Sequence, residues 1–512
     1  MHHALSIPEL LAAIFEQIND QDMADDTLSA LAQTCRAFHP TALDFLWASV
    51  CNVKWFLRLL PSDARTNHSA EELRNLRSTI KRDLTAAEWD NFHKYTSRVQ
   101  ELDLHQVQPG DNELFIATLR LCPFRPAFPK LRSLIMNFTA SRFLPSISTF
   151  LCPSLESLKL AIEVTRDYSN SELSDLRALG AKCPKLRTLY IHFNHQSWTT
   201  FMSEMVCGCH YVNKFYCGRP LSNAALHHVA RLPNLEELRI GTHSLWSLPL
   251  SESATAPSSS TRKSTSESST TSDNGEFLLS IRSTPTILNL WSTAMPSTTD
   301  INKTLEWLST LDGPSSLVDF EWQAIDYRPF QNRPEPSVFE SLFRFHSLRR
   351  LTIDGICALP FNNNFLQALA EAYPQLEALS LNWKTGWREP QITIHGLARL
   401  FKGCRNLGEL QIAINARVID PLPEALTGPS VQNTHIETLH LVDSPVRHPI
   451  SVTGLLREIL PRLSCVQDRS SGLSMDLNYL NTHSIVWHEV NKQCRANVPA
   501  EVSRILEELT KH

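Results

Sequence analysis

The feature that most constrains this chain is a recurring Leu-x-x-Leu-x-Leu unit. It appears at Leu131, Leu134 and Met136, at Leu155, Leu158 and Leu160, at Leu186, Leu189 and Ile191, and at Leu235, Leu238 and Ile240. It returns at Leu348, Leu351 and Ile353, at Leu376, Leu379 and Leu381, at Leu407, Leu410 and Ile412, and at Ile436, Leu439 and Leu441. A partial copy occupies Val99, Leu102 and Leu104, and a degraded one Leu317, Phe320 and Trp322. The later starts, Leu348, Leu376, Leu407 and Ile436, are 28, 31 and 29 residues apart. A sustained period of that length is the signature of stacked supersecondary units, none of which buries its apolar ridge alone.

Between the motifs the apolar period changes from two to about 3.6. Leu173, Leu176 and Leu179 run out at Gly180 and Cys183-Pro184; Phe365, Leu366, Leu369 and Ala370 at Tyr373-Pro374; Leu397, Leu400 and Phe401 at Gly403-Cys404. Gly and Pro end each helix and return the chain to the next strand. The expected class is α/β, with one strand and one helix per repeat stacked into a solenoid over 96–484. Cys122, Cys152 and Cys183, each just before Pro, read as small core residues at helix exits.

Alternation along each strand sends the Leu positions inward and their neighbours to the concave side. It nominates Asp103, His105, Tyr190, His192, Arg239, Arg350, Asp354, Glu409, Gln411 and His440 as contacts for a target protein. Ser133, Asn137, Lys159, Glu237, Ser380, Asn382 and Thr438 fall on the same stripe, whereas Phe193 and Trp383 have inward parity. The stripe mixes both charge signs with a few aromatic anchors, which suits a protein surface better than a polyanion.

The first fifty residues follow another rule. Ser6 and Glu9 form a potential capping box around Pro8, followed by Leu10, Leu11, Ile14, Phe15 and Ile18 on one helical side. A second helix carries Leu28, Leu31, Cys35 and Phe38; a third, opened by Pro40, carries Leu43, Phe45, Leu46, Trp47 and Val50. Three helices this short supply too little core to close on themselves and must dock on their own chain or on a partner. Residues 53–95 read as a helical bridge, its apolar surface raised by Trp89, Phe92 and Tyr95, and 485–512 as a helical cap.

The leading segment resembles an F-box. Ile7-Pro8-Glu9, Ile14-Phe15, Leu28 to Ala32, Thr34-Cys35-Arg36-Ala37-Phe38 and Leu46-Trp47 follow that family's pattern, in order, within 1–52. The repeat array resembles the leucine-rich repeats that follow F-boxes in one large class of these proteins, many of them fungal. The Asn often found after each strand appears here at Asn194 and Asn415 but not in most copies, and Phe215 to Leu226 is a poor repeat. The resemblance implies a three-helix F-box followed by a strand-helix horseshoe. It implies that Ile7, Pro8, Ile14, Phe15, Leu28, Leu31, Cys35, Phe38, Leu46 and Trp47 dock on the adaptor subunit of SCF-type ubiquitin ligases, and through it on a cullin. The repeats then hold an unidentified protein substrate. A scaffold or regulatory solenoid that builds no ligase is the alternative.

Composition narrows the remaining classes. The net charge of −5 and the absence of a basic run along any element argue against nucleic acid as a partner. No apolar run approaches the ~18 residues of a spanning helix, so no membrane partner is expected and the setting is cytoplasmic or nuclear. Twelve scattered Cys fit buried thiols in a reducing compartment. Residues 251–275, mostly Ser and Thr, cannot offset the entropy of ordering. They read as a surface insertion, with phosphorylation of Ser264 or Thr270, each three residues before an acid, as the functional alternative. Cys207, Cys209, His210 and Cys217 lack a recognised finger spacing and read as packed residues, so no metal is expected. No phosphate loop, His-Glu-x-x-His helix or nucleophile elbow is present. The chain is expected to be non-catalytic and to need no cofactor.

Overall fold

The computed structural model describes residues 7–19, 24–64, 82–104, 109–136, 144, 147–162, 173–193, 198–242, 281, 284–292, 295–324, 334–383, 390–417, 420–441, 444–467 and 490. The chain divides into two compact units, Met1–Leu235 and Glu236–His512. Ser6, His105, Asn137, the 251–275 insertion and nearly all of 485–512 lie outside the described residues.

The first unit opens with α1 (Pro8–Asn19), α2 (Ala24–Thr34) and α3 (Phe38–Leu46). The third helix begins two residues before Pro40, so Phe38 belongs to it and not to the second. Leu11, Phe15, Leu28 and Ala42 form the module's interior, with Ile18, Leu31, Ala32, Phe38, Phe45 and Leu46 packed around them. Phe15 meets Phe38 edge-on at 5.8 Å and Phe45 at 6.3 Å between ring centroids. The expected apolar spacing therefore builds a core, though a small one.

That module runs directly into a sheet. β1 (Ser49–Val50), inside the stretch expected to be helical, pairs in parallel with β2 (Glu101–Asp103). Backbone N–H groups of Gln100 and Glu101 both donate to the Ala48 carbonyl at 2.8 Å. The intervening bridge contains α4 (Lys54–Arg58) and α5 (Ala86–Thr96). A reciprocal capping box starts α5: the Thr85 hydroxyl accepts from Glu88 N–H, and the Glu88 carboxylate from Thr85 N–H. Trp47 packs between Phe56 and Tyr95, at 5.6 and 4.9 Å between centroids.

After α6 (Pro109–Leu121) come β3 (Ser133–Met136), β4 (Ser157–Ile162), β5 (Thr188–Phe193) and β6 (Lys214–Cys217). Each pairs in parallel with its predecessor, and the motif leucines align: Leu102, Leu134, Leu158, Leu189 and Phe215 stand side by side. At each strand entry one carbonyl accepts two successive N–H groups of the next repeat: Arg132 from Glu156 and Ser157, Glu156 from Arg187 and Thr188. This shared acceptor locks the register, because a slip of one residue would turn every leucine outward. The stretch after Phe215, a poor repeat by motif, still forms a rung, with β6 followed by a helix at Asn223–Ala230. Behind the sheet, Phe56, Phe115, Phe128 and Phe150 form an aromatic column in which the Phe56–Phe115 and Phe128–Phe150 pairs stack, both at 5.4 Å.

The second unit repeats the plan with β7 (Glu237–Thr242), β8 (Ile287–Ser292), β9 (Asp319–Ala324), β10 (Arg350–Asp354), β11 (Ala378–Leu381), β12 (Glu409–Ile412), β13 (Thr438–Leu441) and β14 (Cys465–Gln467). Neighbours in sequence are neighbours in the sheet, all parallel. Each unit is thus a mixed α/β, solenoid-like stack. The inward residues Leu238, Leu288, Phe320, Leu351, Leu379, Leu410 and Leu439 are all buried. Cys152 and Cys404 act across repeats, their thiols donating to the carbonyls of Leu131 and Tyr373 at 3.2 and 3.3 Å. Burial pushes the Cys404 and Cys183 thiols up to about 12, as core residues at helix exits should be.

Candidate protein-docking surfaces

Two kinds of surface emerge. The first is the exposed side of α1. Leu10 and Ile14, four residues apart and so on one helical face, remain 46% and 44% exposed, and Pro8 beside them is exposed as well. The other residues expected to face an adaptor divide. Phe15 and Leu28 are buried inside the module; they support the surface and do not form it, a correction to the expectation that they dock directly. Ile7, Leu31, Cys35, Phe38, Leu46 and Trp47 are half-buried. Trp47 turns to the bridge, where Phe56 and Tyr95 cover it. Arg98 ties the module to the array from the other side through an ion pair with Asp44 and a bond to the Pro40 carbonyl at 3.2 Å.

The second surface is the outward row of the strands. In the first unit, strand pairing places Asp103, Ile135, Lys159, Tyr190 and Tyr216 in one line. Tyr190 and Tyr216 stack face to face at 3.8 Å, nearly parallel. His192, opposite Ala161 in the next row, lies close to Gly218, and burial lowers its imidazole below the ordinary value with Arg219 adding to the effect. Alternation alone did not pick out Tyr216, because its strand lacks the full leucine motif.

In the second unit, Arg239, Asn289, Glu321, Thr352, Ser380, Gln411 and His440 form the corresponding line. Glu321 is its fixed point: its carboxylate accepts from Asn289 Nδ2 at 2.6 Å, from Trp291 Nε1 at 3.2 Å and from the Gln323 amide. Asp319, paired with Arg350 across the sheet, has its carboxyl raised by burial, against the opposing pull of Arg239 and Arg350. Farther along, Glu409, Gln411 and His440 converge with Gly408, His435, Glu437 and Thr438 around an open hollow of about 270 Å³. Burial holds the His440 imidazole below its ordinary value, partly offset by Glu409.

Two outward assignments and one inward one fail at strand ends. Asp354 and Asn382, expected to face a target, are each 1% exposed. Asn382 is instead a clamp: its Oδ1 accepts from Gly355 N–H at 3.1 Å and its Nδ2 donates to the Cys357 carbonyl at 3.0 Å. Gly355, at φ 73°, turns the chain straight after Asp354. Asn382 also has a positive φ of 47°, which breaks the two-residue alternation. Trp383 consequently turns outward, 36% exposed, where parity placed it in the core. Phe193 is buried as parity required.

The thiols near the first unit's end are packing groups. Cys209 donates to the Met205 carbonyl and Cys217 to that of Arg219, and burial pushes both up to about 12. Among the described residues no three His, Cys, Asp or Glu side chains gather closely enough to hold a metal ion, and no helix is long and apolar enough to cross a membrane.

No family model matches the chain, and no curated protein matches it. Among solved structures, a crystal structure of a Rad7 and Elc1 complex in yeast aligns with 90% of this chain and 87% of its own, at 13% identity and a TM-score of 0.27. A superposition that loose carries no functional argument.

Proposed function

We propose that this chain is the substrate-recognition subunit of an SCF-type ubiquitin ligase, its leading three helices an F-box that docks on the adaptor subunit and through it on a cullin. The stacked strands hold a protein target for ubiquitination and proteasomal degradation. The chain itself performs no bond chemistry; it contributes proximity, converting an encounter between target and charged conjugating enzyme into an effectively intramolecular event. Its setting is cytoplasmic or nuclear.

The observation that carries this reading is the uncovered pair Leu10 and Ile14 on a module whose apolar side chains otherwise pack into its own small core or, like Trp47, against the bridge. Exposed apolar residues set together on one helix mark a docking face, and the order of motifs around them resembles the family's. The outward strand rows, polar and of mixed charge with Tyr190, Tyr216 and Trp291 as anchors, suit a protein partner.

Co-expression with the adaptor tests the proposal. Wild type should co-purify with adaptor and cullin, and Ile14→Asp, which burdens the docking face with an unpaired charge, should not. Because Ile14 is exposed, that variant should keep the parent melting temperature. Adaptor recovery unaffected by Ile14→Asp and by Leu10→Asp would leave the module a structural cap and return the chain to the scaffold reading.

A further inference from the structure

The hollow between β12 and β13 has a composition that the reading above does not specify. Its lining contains two carboxylates, Glu409 and Glu437, together with Gln411, Thr438, His435 and His440, but no Lys or Arg. We propose that this hollow is the receptor for a single cationic side chain, Lys or Arg, presented by the target protein. The inference rests on the target-holding role of the strand rows and names the chemistry they select.

Size and charge carry the argument. At about 270 Å³ the hollow falls below the roughly 300–1,000 Å³ of sites that enclose a small-molecule ligand or cofactor. It is open on one side and suits one long side chain entering from a docked surface. A metal ion is a poor occupant, because the His and Glu groups do not approach one another as a ligand set does. Glu409 opens β12 and Glu437 stands directly before the neighbouring β13, so both carboxylates line one end of a strand pair whose backbone register is in place before any partner arrives. Gln411 adds directional capacity: its carbonyl oxygen accepts from the Ser380 hydroxyl at 2.9 Å, which fixes the amide at the rim of the hollow. Burial lowers the His440 imidazole below its ordinary value, which favours its neutral form beside the carboxylates. An aliphatic stem and a charged head are what an Arg or Lys supplies, and a cation opposite two carboxylates discriminates between partners by charge.

The test uses the full chain with fluorescein-labelled octa-arginine and octa-glutamate as probes, read by fluorescence polarisation at physiological salt. The wild type should bind octa-arginine and not octa-glutamate. A Glu409→Gln and Glu437→Gln double variant should weaken binding about tenfold or more, equivalent to about 1.4 kcal/mol. Both residues are exposed, so folding should be unchanged. A Glu371→Gln and Glu424→Gln double variant, which removes the same charge away from the hollow, should change binding less than about twofold. Thr438→Arg, which fills the hollow with a cation of the chain's own, should weaken octa-arginine binding as far as the Glu409→Gln and Glu437→Gln double variant does. Equal weakening by both double variants, or none by either, would overturn the proposal. Peptide binding does not involve the adaptor, so this result stands or falls separately from co-purification.

Discussion

The helical module and the strand array solve the same problem of burial in opposite ways. Within each unit the strands deliver their inward side chains to an interior shared with the neighbouring rungs, and each rung covers the ridge of the one before. In the module Leu11, Phe15, Leu28 and Ala42 form a small enclosed cluster, and Leu10 and Ile14 stay outside it. A stack can close its own apolar surface because it adds neighbours; three short helices cannot, and what they leave uncovered becomes available for recognition. The array therefore presents rows of polar groups set with a few aromatic rings, and the module presents an apolar pair.

Substitutions can break that contrast. Phe15→Ala removes the ring that Phe38 and Phe45 both touch and should cost about 3–5 kcal/mol, with hydrogen exchange rising throughout α1, α2 and α3. Leu379→Ala, in the middle of the second unit's sheet, should cost about 2–4 kcal/mol, and its exchange signature should stay within the adjacent rungs. A module that loosened no further than its substituted helix, or a stack that melted as one body, would erase the distinction. Arg98→Ala removes the partly exposed tie to Asp44 and Pro40 and should cost about 1 kcal/mol, seen as faster exchange at β1 with the later strands unchanged. Ile14→Asp should shift stability by less than about 0.5 kcal/mol in a chemical denaturation curve while removing adaptor binding, the sharpest separation of folding from docking.

Much of the array was legible because leucine spacing and strand pairing are the same fact seen twice. What the motif missed had weakened local signals. β8 lacks the first leucine, Pro285 standing three residues before Leu288, and it follows the Ser/Thr-rich segment that interrupts the period. β1 is two residues long and abuts a helix, too short for alternation to register. Outward orientation was readable in mid-strand, where Tyr190, Gln411 and His440 are half-buried beside buried leucines, and unreadable at strand ends. There a left-handed residue such as Asn382 resets the alternation, and hydrogen bonding draws a polar side chain into the fold. The helical spacing of α1 identified Leu10 and Ile14 as apolar but not as uncovered, since exposure depends on the packing of α2 and α3.

Within each unit every strand pairs with the strands immediately before and after it in the chain. Little of the assembly therefore waits for distant segments, and folding should resemble closing a zip more than solving a puzzle. A polypeptide of this kind can set each rung as synthesis supplies it, so the leading helices are in place and attached to their first rung long before the last strand exists. Translation order, on this plan, is also assembly order.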